Sequence, residues 1–333
     1  MSIRTGLICV PRWLQTAIGI ALTTGIALVA VGAVALPQFF RALRHEPANG
    51  AATPTATVTR QAEAAWQASA GAIAHAKVAA HLIPDTAVAR REALLGAEVT
   101  PLVTTLGSIE AKRLTLSPRW AGMIAEQLVS KGVTRDDVVA ASFSGSFPAL
   151  NLAVVSACAS IGARLIAVSS VTASTWGANQ PGFTWPEMEV LLVAGGTMVP
   201  VSVAVSAGGS GDRARDLDAD GQRLARAIAR RTADRLGAAL VEPLDLRDAI
   251  ETRLAVFDRR RNGRPLAAFV NVGGTEASLG GSTAILKITS GWVPAGAFDA
   301  SPDRGLVARM AERGIPVLHL LNVRDLAARW GLL

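Results

Sequence analysis

From Val99 onward, short runs rich in β-branched residues alternate with stretches whose apolar residues recur every three or four positions. Residues 137–142 (DVVAAS) read as a buried strand. A Ser/Gly turn follows, then a helix with Leu150, Val154, Val155 and Cys158 on one face. The strand 164–169 (RLIAVS) completes a βαβ unit. The alternation recurs as strand 198–205, helix 218–236 with Asp218 or Asp220 near its cap, strand 239–241 and helix 246–260. It ends with strand 266–272, helix 304–313, strand 315–321 and a closing helix 325–330. Strands separated by helices predict an α/β fold: a mainly parallel, Rossmann-like doubly wound sheet covered on both faces.

The first 60 residues break this rhythm. No charge occurs from Trp13 to Phe40, and 13–36 would span about 36 Å as a helix, against about 30 Å of bilayer hydrocarbon. Trp13 and Phe39-Phe40 suit the two interfaces. The reading is a tail (1–12), a single-pass transmembrane anchor (13–36), a linker (41–60) and a globular domain (61–333) that opens on an alanine-rich helix over 61–82. A cleaved signal peptide is the rival, with Ala33-Val34-Ala35 as the small-x-small site. Arginines flank both ends of the span, so charge does not orient it. Architecture points to an extracytoplasmic domain.

The net charge of +7 comes mainly from arginine, with only four lysines. The arginines of 213–264 are nearly balanced by acids and are accompanied by one aromatic residue, Phe257, so they read as solvated helix faces and not as a nucleic-acid surface. Cys9 and Cys158 flank the anchor and do not pair; no metal-ligand spacing and no cofactor motif occurs.

In such sheets ligands bind where strand ends meet helix starts. Four strand ends here carry Gly/Ser/Thr/Asn clusters. The first holds Ser142, Ser144, Gly145 and Ser146 ahead of Pro148, and hydroxyls beside a helix N-terminus make an anion cradle. The second holds Ser170, Ser174 and Asn179, the third Asp212 and Arg213 after Gly208-Gly209, and the fourth Asn271, Gly273 and Gly274. Thr105, Glu110 and Lys112, with Arg113, are further pocket candidates, or else a capped, solvated helix start. Ser144 lacks the Gly-x-Ser-x-Gly spacing of a nucleophile elbow, and His319 (PVLHLLN) reads as a core histidine, with a general base as the alternative.

At these motifs the chain resembles the poly-γ-glutamate system proteins of bacterial capsule operons. The resemblance is carried by TPLVTTLGSIEAKR (100–113), VVAASFSGSFPALNLAV (138–154), AVSSVTASTWGANQPGFTWPEME (167–189), FVNVGGTEASLG (269–280) and RGIPVLHLLN (313–322). It implies a membrane-anchored accessory protein of polyglutamate biosynthesis or export, with synthase or export subunits and an anionic polymer or small anion as partners. It carries over no catalytic residue. Residues 136–170 are also similar to the phosphosugar-binding unit of sugar isomerases, where a Ser-x-Ser-Gly-x-Ser/Thr loop holds a phosphate; Ser142, Ser144, Gly145 and Ser146 match that loop. The alternative expectation is therefore an enzyme, a hydrolase of the polymer or a phosphosugar isomerase.

Overall fold

The computed structural model describes residues 54–281, 288–294, 296–298 and 304–333. The expected anchor 13–36 lies outside these residues; among those described, no helix is long and apolar enough to cross a membrane. The first described helix, α1 (Pro54–Ala79), begins inside the range read as linker, so 54–60 belong to the domain.

Seven strands form the main sheet. In chain order they are β2 (Val138–Phe143), β3 (Arg164–Ser170), β5 (Ser202–Ser206), β6 (Ala239–Val241), β7 (Leu266–Val272), β8 (Gly291–Trp292) and β9 (Val317–Leu320). Their spatial order is β6-β5-β3-β2-β7-β9-β8, all parallel except the short edge strand β8. The order runs one way from β2 to β6 and the other way from β2 to β9, which puts the topological switch point between β2 and β7. The expected mainly parallel α/β sheet is present. Two further strands, β1 (Val103–Thr105) and β4 (Ala173–Ser174), pair in parallel beyond the C-terminal end of β3.

The helices form where the pattern and caps demand. Pro148 opens α5 (Pro148–Ile161), and Gly162, left-handed at φ 79°, closes it. Asp218 caps α7 (Ala219–Leu236) and Asp245 caps α8 (Leu246–Arg260) through the third backbone N–H of each helix. Two helices lie beyond the elements that the sequence pattern predicts, α4 (Arg119–Ser130) and α6 (Trp185–Ala194). The former buries Trp120, Ile124 and Leu128 at helical spacing. On α6, Glu189 is buried with its carboxyl pushed up by desolvation, and it accepts hydrogen bonds from the Val201 and Ser202 backbone at the start of β5.

Strand β2 is buried along its whole length, so both faces of the sheet are covered. One face packs Val139, Ala141 and Phe143 against α1, α4 and α5, with Phe143 edge-on to Trp185 at 5.7 Å. The other packs Val138, Ala140 and Phe269 against α8, where Phe257 meets Phe269 at 5.9 Å. The N-terminal helix is fastened by more than apolar contact: Trp66 Nε1 donates to the Ala149 carbonyl at 2.9 Å, in the first turn of α5.

Candidate functional site

The four Gly/Ser loops leave the C-terminal ends of β5, β3, β2 and β7, which are neighbours in the sheet. They converge. A cavity of about 310 Å³ is lined by Ser144 and Ser146 after β2, Thr172 after β3, Gly209, Ser210 and Asp216 after β5, and Gly274, Thr275 and Glu276 after β7. Thr104 and Thr105 of β1 close the rim. The cavity sits beside the switch point, where parallel α/β sheets place their ligands.

Close packing sets the loop shapes. The Ser144 backbone N–H donates to the Val272 carbonyl at 3.2 Å, which stitches the serine loop to the end of β7. Gly273 follows at φ 80°, and a Cβ there would stand 2.9 Å from Ser144 Cβ, so this position needs glycine twice over. The loop after β5 holds two non-glycine residues in left-handed backbone, Asp212 (φ 60°) and Ala214 (φ 55°). Such conformations persist where the surroundings over-determine them.

Beneath the floor lies a sealed polar network. Arg253 of α8, fully buried, donates from Nε to Asp212 Oδ2 at 2.8 Å and from Nη2 to Asp212 Oδ1 at 2.7 Å. It also reaches Ser142 (3.2 Å), Ser170 (3.0 Å) and Ser206 (2.7 Å), one serine from each of three adjacent strands. Ser278 extends the network by donating to Ser142 at 2.7 Å, and Thr275 donates to Ser278 at 2.8 Å, which connects the buried layer to the cavity wall. A buried guanidinium with this many acceptors is satisfied, and it fixes the loops that depend on it.

Of the residues expected at the site, Thr105, Ser144, Ser146 and Gly274 line the cavity. Ser142, Ser170 and Asp212 lie below it in the arginine network. Gly145 backs onto 172–178, where its carbonyl accepts from the Ala178 N–H at 2.7 Å. Asn179 is a clamp, exchanging hydrogen bonds with both backbone groups of Ala97 at 3.0 and 2.7 Å. Arg213 does not join the cavity: it turns outward and donates to the Leu244 carbonyl at 3.0 Å. Glu110 also lies outside the cavity. It is exposed, bonded to Ser108, which holds its carboxyl below the ordinary range, and it borders a separate shallow depression with Arg113 and Arg324.

Lys112 is buried behind the wall. Its Nζ donates to the Ser146 carbonyl, lies 2.9 Å from Ser174 Oγ, and sits 4.6 Å from the centre of the Phe147 ring. Among the described residues no carboxylate pairs with it, and burial pushes its pKa down to about 7. Asn271 lies on β7 in register with Ser142 and with His319 of β9. Its amide donates to the Gly273 carbonyl at 2.8 Å and to His319 Nδ1 at 3.0 Å. That places the imidazole proton on Nε2, which is buried and has no partner among the described residues, and burial pushes the His319 pKa down to about 4.

Sequence reasoning missed Arg253, which was read with the solvated arginines of 213–264; its place on the buried stripe of α8 beside Ile250, Leu254 and Phe257 was the available signal. It also passed over Asp216 and Glu276. These carboxylates accept from the backbone N–H of Ser210 (3.1 Å) and Gly211 (2.5 Å), and they make one side of the cavity negative. The arrangement can hold a compact polar ligand with an anionic group on the serine loop and hydrogen-bond donors facing the carboxylates. No protein-family model matches the chain, and no curated protein or solved structure matches it.

Proposed function

We propose that this chain is a membrane-anchored accessory protein of a poly-γ-glutamate system, and that its cavity takes the end of a γ-glutamyl chain. The observation that carries this reading is the convergence of four separate loops on one hydroxyl-lined cavity at the switch point of the sheet. Ser144, Ser146 and the start of the 14-residue helix α5 suit a carboxylate. Asp216 and Glu276 repel a run of bare carboxylates but accept a terminal ammonium. A chain end bearing both groups satisfies both sides, whereas the interior of the polymer does not. A volume of about 310 Å³ admits a terminal unit and excludes a folded polymer. The proposed anchor is residues 13–36, with the domain outside the cytoplasm.

The test is titration of the full chain in detergent with γ-glutamyl oligomers at low salt. Saturable binding that weakens about tenfold, roughly 1.4 kcal/mol, in Ser144→Ala or Ser146→Ala supports the reading. No heat at low salt, or heat indifferent to both changes, overturns it. One observation favours a second reading: the serine loop opening a long helix also suits a phosphosugar. Competition by a hexosamine phosphate, but not by oligoglutamate, would select that alternative.

A further inference from the structure

Both hydroxyls of the serine loop are occupied as acceptors. Ser144 Oγ accepts from the Ser146 backbone N–H at 3.1 Å, and Ser146 Oγ accepts from the Ser174 N–H at 3.0 Å. Among the described residues neither hydroxyl proton has an acceptor, so both are left for an occupant of the cavity that these serines line. Phe147 precedes α5 without a side-chain capping bond, which leaves the positive end of that helix uncompensated. This wall offers donors.

A buried cation stands behind it. Lys112, on α3 (Ile109–Leu114), is 1% exposed. Its Nζ donates to the Ser146 carbonyl and to Ser174 Oγ at 2.9 Å, and lies 4.6 Å from the centre of the Phe147 ring. A cation at a helix N-terminus opposes the helix dipole, and burial raises the cost. The charges nearby are turned elsewhere. On α3, Glu110 accepts from Ser108 and Arg113 donates to Glu92. On the closing helix Val323–Arg329, Arg324 borders the outer depression and Asp325 pairs with Arg329. Asp216 and Glu276 stand on the loops after β5 and β7, bonded to the Ser210 and Gly211 backbone. Strand β4, Ser146 and Phe147 bring no charge. Lys77, also buried, differs: it holds the Leu95 carbonyl and Gln180, neither of which lines the cavity.

We propose that Lys112 is the counter-charge for the anionic group seated on the serine loop, and that Nζ takes up a proton from solvent as the anion enters. Lys112 is a positioning residue and touches no ligand. Its charge acts across Ser146, whose carbonyl it holds and which lines the cavity. Without an anion, desolvation favours the neutral amine and brings its pKa down to about 7. An anion one residue away favours the ammonium, and the linkage is reciprocal: each tightens the binding of the other. Affinity is therefore flat below pH about 7, where Nζ already carries the proton, and declines above it.

This inference rests on the cavity being the ligand site, so its test separates the two. The full chain in detergent is titrated by calorimetry with a γ-glutamyl oligomer and, separately, with sulfate, which has no proton to exchange near neutrality. Buffers of differing ionisation enthalpy report the protons taken up. At pH about 8 binding should take up about half a proton or more, and affinity should fall by up to about tenfold per pH unit above about 7. Lys112→Met should bind about tenfold more weakly at pH about 6.5, with the uptake and the slope gone. Uptake and slope that persist in a folded Lys112→Met overturn the proposal. So does a pH-independent affinity of the unaltered chain, a result that needs no variant to fold. Oligomer binding without proton uptake sinks the counter-charge alone. Proton-linked sulfate binding without oligomer binding sinks the polymer reading and leaves Lys112 in its role, and binding of neither ligand sinks both.

Discussion

Arg253 grips Asp212 through two parallel hydrogen bonds, 2.8 and 2.7 Å long, with neither side chain open to solvent. The pair joins helix α8 to the strained loop after β5, and the same guanidinium satisfies serines on β2, β3 and β5. Removing one partner strands a charge in the interior. Arg253→Met should therefore cost about 3–5 kcal/mol of stability. Asp212→Leu should cost a similar amount, and the double variant less than the sum of the two. Urea unfolding of the three variants checks this; singles within about 1 kcal/mol of the parent would show the pair to be dispensable.

Gly273→Ala tests the stitching of the serine loop to β7. The left-handed backbone costs an L-residue about 1–2 kcal/mol. The new methyl also presses on Ser144 Cβ, 2.9 Å away. Ligand binding should suffer more than melting temperature, because Ser144 is displaced while the sheet below is untouched. Loss of stability with unchanged affinity would contradict the placement of Ser144 at the ligand.

The two carboxylates of the cavity predict a preference that charge alone does not. Asp216→Asn and Glu276→Gln keep acceptors for the Ser210 and Gly211 backbone but remove the charges. Each should weaken binding of an oligomer with a free amino end by about tenfold, roughly 1.4 kcal/mol, and leave an N-acetylated oligomer unaffected or tighter. Equal effects on both oligomers would remove the ammonium from the account.

His319 supplies a pH signature. Burial lowers its pKa from 6.5 to about 4, so between those values the unfolded chain binds the proton that the folded chain refuses. Stability due to this residue is complete above 6.5 and declines as pH falls toward 4. His319→Asn should flatten that part of the stability–pH curve measured by thermal unfolding. An unchanged slope would mean the imidazole is not held neutral.

Much of the framework was legible because a buried parallel strand announces itself. VVAASF and LAAFVNV lie buried between two layers, and no polar face interrupts their apolar runs. The four loops were legible for the same reason, since Gly/Ser clusters stand out at the ends of such runs. Arg253 was not, because an arginine on a helix reads as solvated until its neighbours are known. Lys112 was found as a candidate, but its burial behind Ser146 depends on β1 pairing with β4 across 70 residues of chain, a register that no local pattern encodes. Arg213 and Glu110 lie away from the cavity for a related reason: adjacency in sequence to a cavity loop does not set which way a side chain turns.

The hydrogen bond from Trp66 to Ala149 gives the 26-residue leading helix a mechanical meaning. Ala149 stands three residues after Ser146, at the second position of α5, so the leading helix bears on the footing of the serine loop. Tilt or traction applied at the head of that lever meets Thr59, bonded to Glu126 of α4 at 2.9 Å, before it meets Trp66, so α4 and the cavity wall share the load.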